Sequence, residues 1–210
     1  VIWAEANDIV NGMTTTTFAP NTAVTREQLA TMLYRYAQYR HYNTSAGANT
    51  NILSYYDANR ISEYAFSALQ WACGEGIMDG TSVYMFSPNN ATSRGMLVTI
   101  LWRLAGQPVV TGTSFSDVSS SAYYYYAVLW ASKYGIVDGL GNNMFGPDQA
   151  ITREQFAVIL YRYAQHCGYS TSANSTLVGY ADSNKISSYA LTAMRWACGA
   201  GLFEGDERAN

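Results

Sequence analysis

The chain has 210 residues, of which 49% are hydrophobic, 14% aromatic and only 13% charged. That is long enough to bury a real core, and too aromatic and too poor in charge for a disordered chain. A net charge of −3, with 12 Lys and Arg in all, leaves little material for a basic nucleic-acid face.

No apolar run approaches the ~18 residues of a membrane span. No charged-then-apolar leader is visible, and Val1 in place of Met reads as a processed or excised chain. Cys73, Cys167 and Cys198 are an odd set without zinc-ligand spacing, and His41 and His166 are far apart. Three small thiols without a disulfide framework, no metal and no cofactor are the expectation.

In chain order, Trp3-Ala4 reads as the stub of a helix over 1–6. Thr25-Arg-Glu-Gln28 then matches a capping box, in which a Thr hydroxyl serves the first-turn amides and Gln reaches back. Leu29, Met32, Leu33 and Tyr36 follow at helical spacing. Residues 42–54 are polar loop. Tyr64, Ala68, Trp71 and Ala72 share a helix face, with Ser62 as its expected N-cap. Ile77-Met-Asp-Gly80 reads as a turn in which Gly supplies positive φ. Thr92-Ser-Arg-Gly95 opens a helix carrying Leu97, Ile100, Leu101 and Leu104, with a weaker first turn because Gly95 and Met96 replace the acid and the Gln. After the loop 106–114 comes Tyr123-Tyr-Tyr-Tyr126. Those rings cannot all face one core, so some are expected either to be exposed, able to stack on a sugar or touch a protein, or to pack across grooves between units. The Trp130 helix, the Ile136-Val-Asp-Gly139 turn and a second capping box, Thr152-Arg-Glu-Gln155, lead to Phe156, Ile159, Leu160 and Tyr163. Beyond the loop 168–179, Ser187 is expected to cap a helix bearing Tyr189, Ala193, Trp196 and Ala197, and Leu202-Phe-Glu-Gly205 is the last turn.

These elements are copies of one unit. Trp-Ala recurs at Trp3, Trp71, Trp130 and Trp196, each Trp followed nine residues later by Gly12, Gly80, Gly139 and Gly205. Phe18, Phe86 and Phe145, then Pro20, Pro88 and Pro147, then Arg26, Arg94 and Arg153, then Arg35, Arg103 and Arg162 follow the first three without insertion or deletion. A helix-loop-helix unit of this size cannot bury its apolar face alone, so the units must pack together.

The pattern resembles the S-layer homology (SLH) family. The best copy is Phe115-Ser-Asp117-Val118, Trp130-Ala131, Gly135-Ile-Val-Asp-Gly139, Phe145-Gly-Pro147 and Ile151-Thr-Arg-Glu-Gln-Phe156. The resemblance implies a mainly α fold of three helix-loop-helix repeats, pseudo-threefold around a central three-helix bundle. It implies one domain over 1–210, with units near 1–41 (closed by 174–210), 55–105 and 115–167. The two ends are expected to close a ring in shifted register, the alternative being a dangling end.

Functionally, the resemblance implies a non-catalytic extracellular module on the bacterial surface. Such a module binds an anionic secondary polymer of a Gram-positive-type wall and anchors a larger protein. Arg26, Arg94 and Arg153 carry over as ligand-binding residues. A first-turn Arg offers a planar fork of donors beside the helix dipole, and its alternative is a structural contact. Arg35, Arg103 and Arg162 read as structural. Gly80, Gly139, Asp57, Asp117 and Asp182 belong to the same grooves, the aspartates as architecture rather than a glycosidase pair. Trp71, Trp130 and Trp196 are expected to be buried, or else to be sugar platforms. A surface module that binds a host or partner protein on the same scaffold is the competing reading, because function lives in the site rather than the fold.

Overall fold

The structure is a computed structural model that describes residues 17–45 and 50–203. Its described regular structure is six α-helices: α1 (Arg26–Tyr39), α2 (Phe66–Gly74), α3 (Arg94–Leu104), α4 (Tyr125–Lys133), α5 (Arg153–His166) and α6 (Leu191–Gly199). Short 3₁₀ turns precede α2 and α6, and two isolated antiparallel bridges, Thr25 to Ala91 and Ser93 to Ala150, are the β pairing shown. No helix among the described residues is long and apolar enough to cross a membrane. Trp3, Gly12 and Gly205, with the helix stub at 1–6, lie outside the described residues.

The chain divides into two compact units, one made of 23–34 with 43–151, the other of 1–22, 35–42 and 152–210. In the first, α3 packs on α4; in the second, α5 packs on α6. The apolar faces are buried as their spacing predicts: Leu29, Met32, Leu33 and Tyr36 on α1, Leu97, Ile100 and Leu101 on α3, Phe156, Ile159, Leu160 and Tyr163 on α5. Leu104, at the end of α3, is only half-buried.

Helix starts follow local chemistry in part. Thr152 and Gln155 form the full capping box, and at α1 the Thr25 amide donates to Gln28 Oε1 at 3.0 Å while Thr25 Oγ1 accepts from the Gln28 amide at 3.3 Å. At α3 Ser93 accepts from the Met96 amide, with no side chain reaching back.

The remaining first-turn amides are met by distant loops. Arg26 and Glu27 donate to the carbonyls of Asn90 and Pro88, and Arg94 and Gly95 to those of Gln149 and Pro147. In the second unit Arg153 and Glu154 donate to the carbonyls of Thr22 and Pro20. Each helix therefore begins against the Phe-x-Pro loop of another repeat, which supplies the acceptors that its orphan amides require.

Two expected caps are corrected. Ser62 and Ser187 make no side-chain cap, and α2 and α6 start later, at Phe66 and Leu191. Their hydroxyls donate to buried carboxylates instead: Ser62 to Glu27 at 2.9 Å and Ser187 to Glu154 at 2.8 Å. A charged acceptor is a stronger partner than a neutral amide in the serine's own turn, so the local signal loses.

Candidate functional site

The repeated arginine points into its loop partner. Arg26, Arg94 and Arg153 are each 4–5% exposed. Arg26 donates from Nε to the Phe86 carbonyl at 3.1 Å and from Nη2 to the Asp79 carbonyl at 2.5 Å. Arg94 repeats this with Phe145 at 2.9 Å and Asp138 at 3.0 Å. The guanidinium lies over the aromatic ring of the same loop: Arg26 over Phe86 at 5.0 Å, Arg94 over Phe145 at 4.7 Å, Arg153 over Phe18 at 4.6 Å. Both kinds of contact suit a planar, weakly hydrated cation. Burial pulls the Arg26 pKa below its usual value, opposed by Cys73, Tyr123, Tyr55 and Asp79.

The repeated aspartate staples that loop. Asp57 accepts the amides of Phe86 and Ser87 at 2.8 and 2.7 Å, Asp117 those of Phe145 and Gly146 at 2.8 and 2.7 Å, and Asp182 those of Phe18 and Ala19, both at 2.7 Å. The second residue in each pair is left-handed, with φ of 58° at Ser87, 69° at Gly146 and 54° at Ala19. Only one of the three is a glycine, so at Ser87 and Ala19 the carboxylate holds a conformation that a side chain disfavours.

One groove of about 310 Å³ gathers several of these parts within the first unit. Arg26, Asp79, Gly80, Thr81, Arg103 and Tyr123 line it, over an apolar wall of Ile77, Met78, Met96 and Ile100. Arg103 Nη1 bonds Asp79 Oδ2 at 2.9 Å and the Ile77 carbonyl at 3.1 Å. Arg103, read from sequence as structural, therefore does tie its loop, and it also faces the groove.

The S-layer homology domain profile matches residues 1–30, 54–95 and 114–157, more than half of the chain. The chain belongs to the S-layer homology family. Curated relatives agree. It is 27% identical over 151 residues to the Surface-layer 125 kDa protein of Lysinibacillus sphaericus, covering 72% of this chain and 12% of that protein. It is 28% identical over 166 residues to an endoglucanase of Bacillus sp. (strain KSM-635), with 77% and 17% covered. It is 29% identical over 167 residues to an amylopullulanase of Thermoanaerobacterium thermosulfurigenes, with 76% and 8% covered. The S-layer homology chain thus spans less than a fifth of the length of these relatives. The shared segment is an anchoring module found in S-layer proteins and enzymes, associated with the cell surface and its wall polymers.

The S-layer homology glycines correct one expectation. Gly80 and Gly139 do not have positive φ; they are needed for space. A Cβ on Gly80 would lie 2.6 Å from Tyr55 Cε1 and 2.8 Å from the Met85 carbonyl, and on Gly139 2.7 Å from Phe115 Cε1 and 2.8 Å from the Met144 carbonyl. The left-handed glycines of the motif stand earlier, at Gly76, Gly135 and Gly201.

The repeated tryptophans lie inside: Trp71, Trp130 and Trp196 are 1–3% exposed. Trp71 packs edge-on against Tyr34 and Trp196 against Tyr161. Their indoles present no free face for a sugar in this conformation. Exposed rings occur instead at Tyr123 and Tyr126, at the run that sequence marked. Cys73 and Cys167 are free thiols, and burial, with Asp79 adding, pushes Cys73 up to about 11, so it stays protonated at neutral pH. Among the described residues no group of three or more His, Cys, Asp and Glu is placed to hold a metal.

The staples carry a pH prediction. Burial opposes ionisation of Asp57 and Asp117. The amide hydrogen bonds, with Arg60 beside the first and Arg94 beside the second, outweigh it and hold both carboxyls below their usual value. A carboxyl lowered on folding contributes stability that is full above its unfolded pKa and is lost as pH falls through the folded one. The melting temperature is therefore expected to hold above about pH 5 and to fall steadily below about pH 4. A melting temperature unchanged down to about pH 2 would mean that neither carboxyl is stabilised in the fold.

Proposed function

We propose that residues 1–210 act as one wall-binding domain, without catalysis. It holds an anionic secondary glycan of a Gram-positive-type cell wall and so anchors a larger secreted protein on the bacterial surface. The observation that carries this is the groove at Arg26 in a chain of the S-layer homology family. Arg26 spends Nε and one Nη2 donor on loop carbonyls, and no described residue takes its Nη1 donors. A guanidinium has five donors, so the remainder can meet an acidic substituent. Arg103 adds a second cation, which Asp79 balances at the rim. Arg94, with the same loop contacts, and Arg153, whose guanidinium lies over the Phe18 ring, are proposed as the corresponding ligand residues of the other repeats.

The test is co-sedimentation with purified walls that retain their secondary polymer and with the same walls stripped of it. Retention by the first and not the second supports the assignment; equal behaviour on both overturns it. A competing reading, a surface module for a protein partner, draws on one feature. Tyr56 and Tyr84 stack in parallel at 5.2 Å while remaining 76% and 58% exposed, beside exposed Leu53 and Val83. It moves ahead if polymer makes no difference.

A further inference from the structure

The residue after the repeated arginine decides what stands beside each helix start. Glu27 accepts the Ser62 amide at 3.0 Å, the Ser62 hydroxyl at 2.9 Å and the Tyr64 hydroxyl at 3.1 Å. Glu154 does the same with Ser187 at 2.9 and 2.8 Å and with Tyr189 at 2.9 Å. Tyr64 and Tyr189 each lie seven residues before their Trp, and so does Tyr123. The corresponding position on α3 is Gly95, which offers no carboxylate. The ring of Tyr124 fills that space, so a Cβ on Gly95 would sit 2.9 Å from Tyr124 Cδ1.

Tyr123 is thereby released into the groove. Tyr123 is 61% exposed and lines the groove wall. Met96 is released in the same way. Gln28 and Gln155 reach back to Thr25 and Thr152, but Met96 has no capping task and lines the groove instead. The pair Gly95-Met96, which weakens the first turn of α3, leaves an aromatic ring and a thioether on the groove wall.

We propose that Tyr123 is a specificity-determining contact of this groove, its ring carrying the apolar C–H face of a sugar whose acidic substituent reaches Arg26 and Arg103. The proposal rests on the wall-glycan reading and adds to it the orientation of the sugar. The C–H face of a pyranose is weakly positive and meets the negative face of an aromatic ring. One aromatic wall beside Thr81, Thr99 and Asp79 suits a ring with one apolar face and polar edges.

The experiment measures affinity for purified wall fragments, with and without their secondary polymer, for wild type, Tyr123→Phe, Tyr123→Leu and Tyr123→Ala. Thermal unfolding checks each fold. Tyr123→Phe keeps the ring and should bind within about twofold of wild type, whereas Leu and Ala should each weaken binding by about tenfold. The salt dependence should be unchanged, because no charge is removed. If the Ala variant fails to fold, the Leu variant, which keeps apolar bulk without a π face, decides. Wild type that prefers polymer-bearing walls, with Leu or Ala binding equally well, overturns the role of Tyr123 and leaves the wall reading standing. Wild type indifferent to the polymer overturns both.

Discussion

Trp130→Ala is expected to lower the unfolding free energy by ~3–5 kcal/mol, the range for removing a fully buried large aromatic. Trp130 is 1% exposed and lies in α4 among buried Ala127, Val128, Leu129 and Ala131. Flanking alanines let other backbone approach, so the indole fills the remaining volume and its loss leaves a cavity rather than a dent. Trp71→Ala and Trp196→Ala should fall in the same range, each losing an edge-on aromatic contact as well. Denaturant unfolding measures all three. A loss below ~1 kcal/mol would mean that the indole is not packed and that a ligand role for it returns.

Arg26→Ala is expected to cost both stability and binding. It strips the buried Phe86 carbonyl and the partly buried Asp79 carbonyl of their donors and removes the cation above the Phe86 ring. One buried acceptor and one partly buried acceptor left unpaired, with a lost cation–π contact, together amount to ~2–4 kcal/mol. Arg94→Ala loses the equivalent bonds to Phe145 and Asp138 and should cost about as much, which calibrates the structural share. Loss of one charge-assisted ligand contact should weaken wall affinity by about 10- to 150-fold, measured below the melting temperature of the variant. Lys should rescue only partly, because it keeps the charge and loses the fork. An Arg26→Ala protein that folds and binds walls like wild type would remove this arginine from the site.

Much of the helical framework was legible because its causes are local. The Thr152–Gln155 box, the Thr25–Gln28 box and the faces of α1, α3 and α5 each depend on residues within a turn or two of one another. Where local logic failed, a distant group outbid the near one. Ser62 looks like a cap, but the carboxylate of Glu27, 35 residues away, takes its hydroxyl. Gly80 looks like a left-handed turn residue, but what it lacks is room beside Tyr55 and the Met85 carbonyl. Tyr123 and Tyr124 are adjacent and identical in type, and only the missing side chain of Gly95 separates a groove wall from a ring packed against the start of α3.

By itself the sequence determined the repeat, the helices, the family and which arginines and aspartates recur, because periodicity and register are written in linear spacing. Tertiary structure alone decided what those recurring residues hold. Arg26 meets carbonyls 53 and 60 positions away, and Asp182 staples the left-handed turn at Ala19 across 163 positions of chain. A hydrogen bond is specified by where its donor and acceptor come to rest after the core has packed, and linear spacing does not contain that distance.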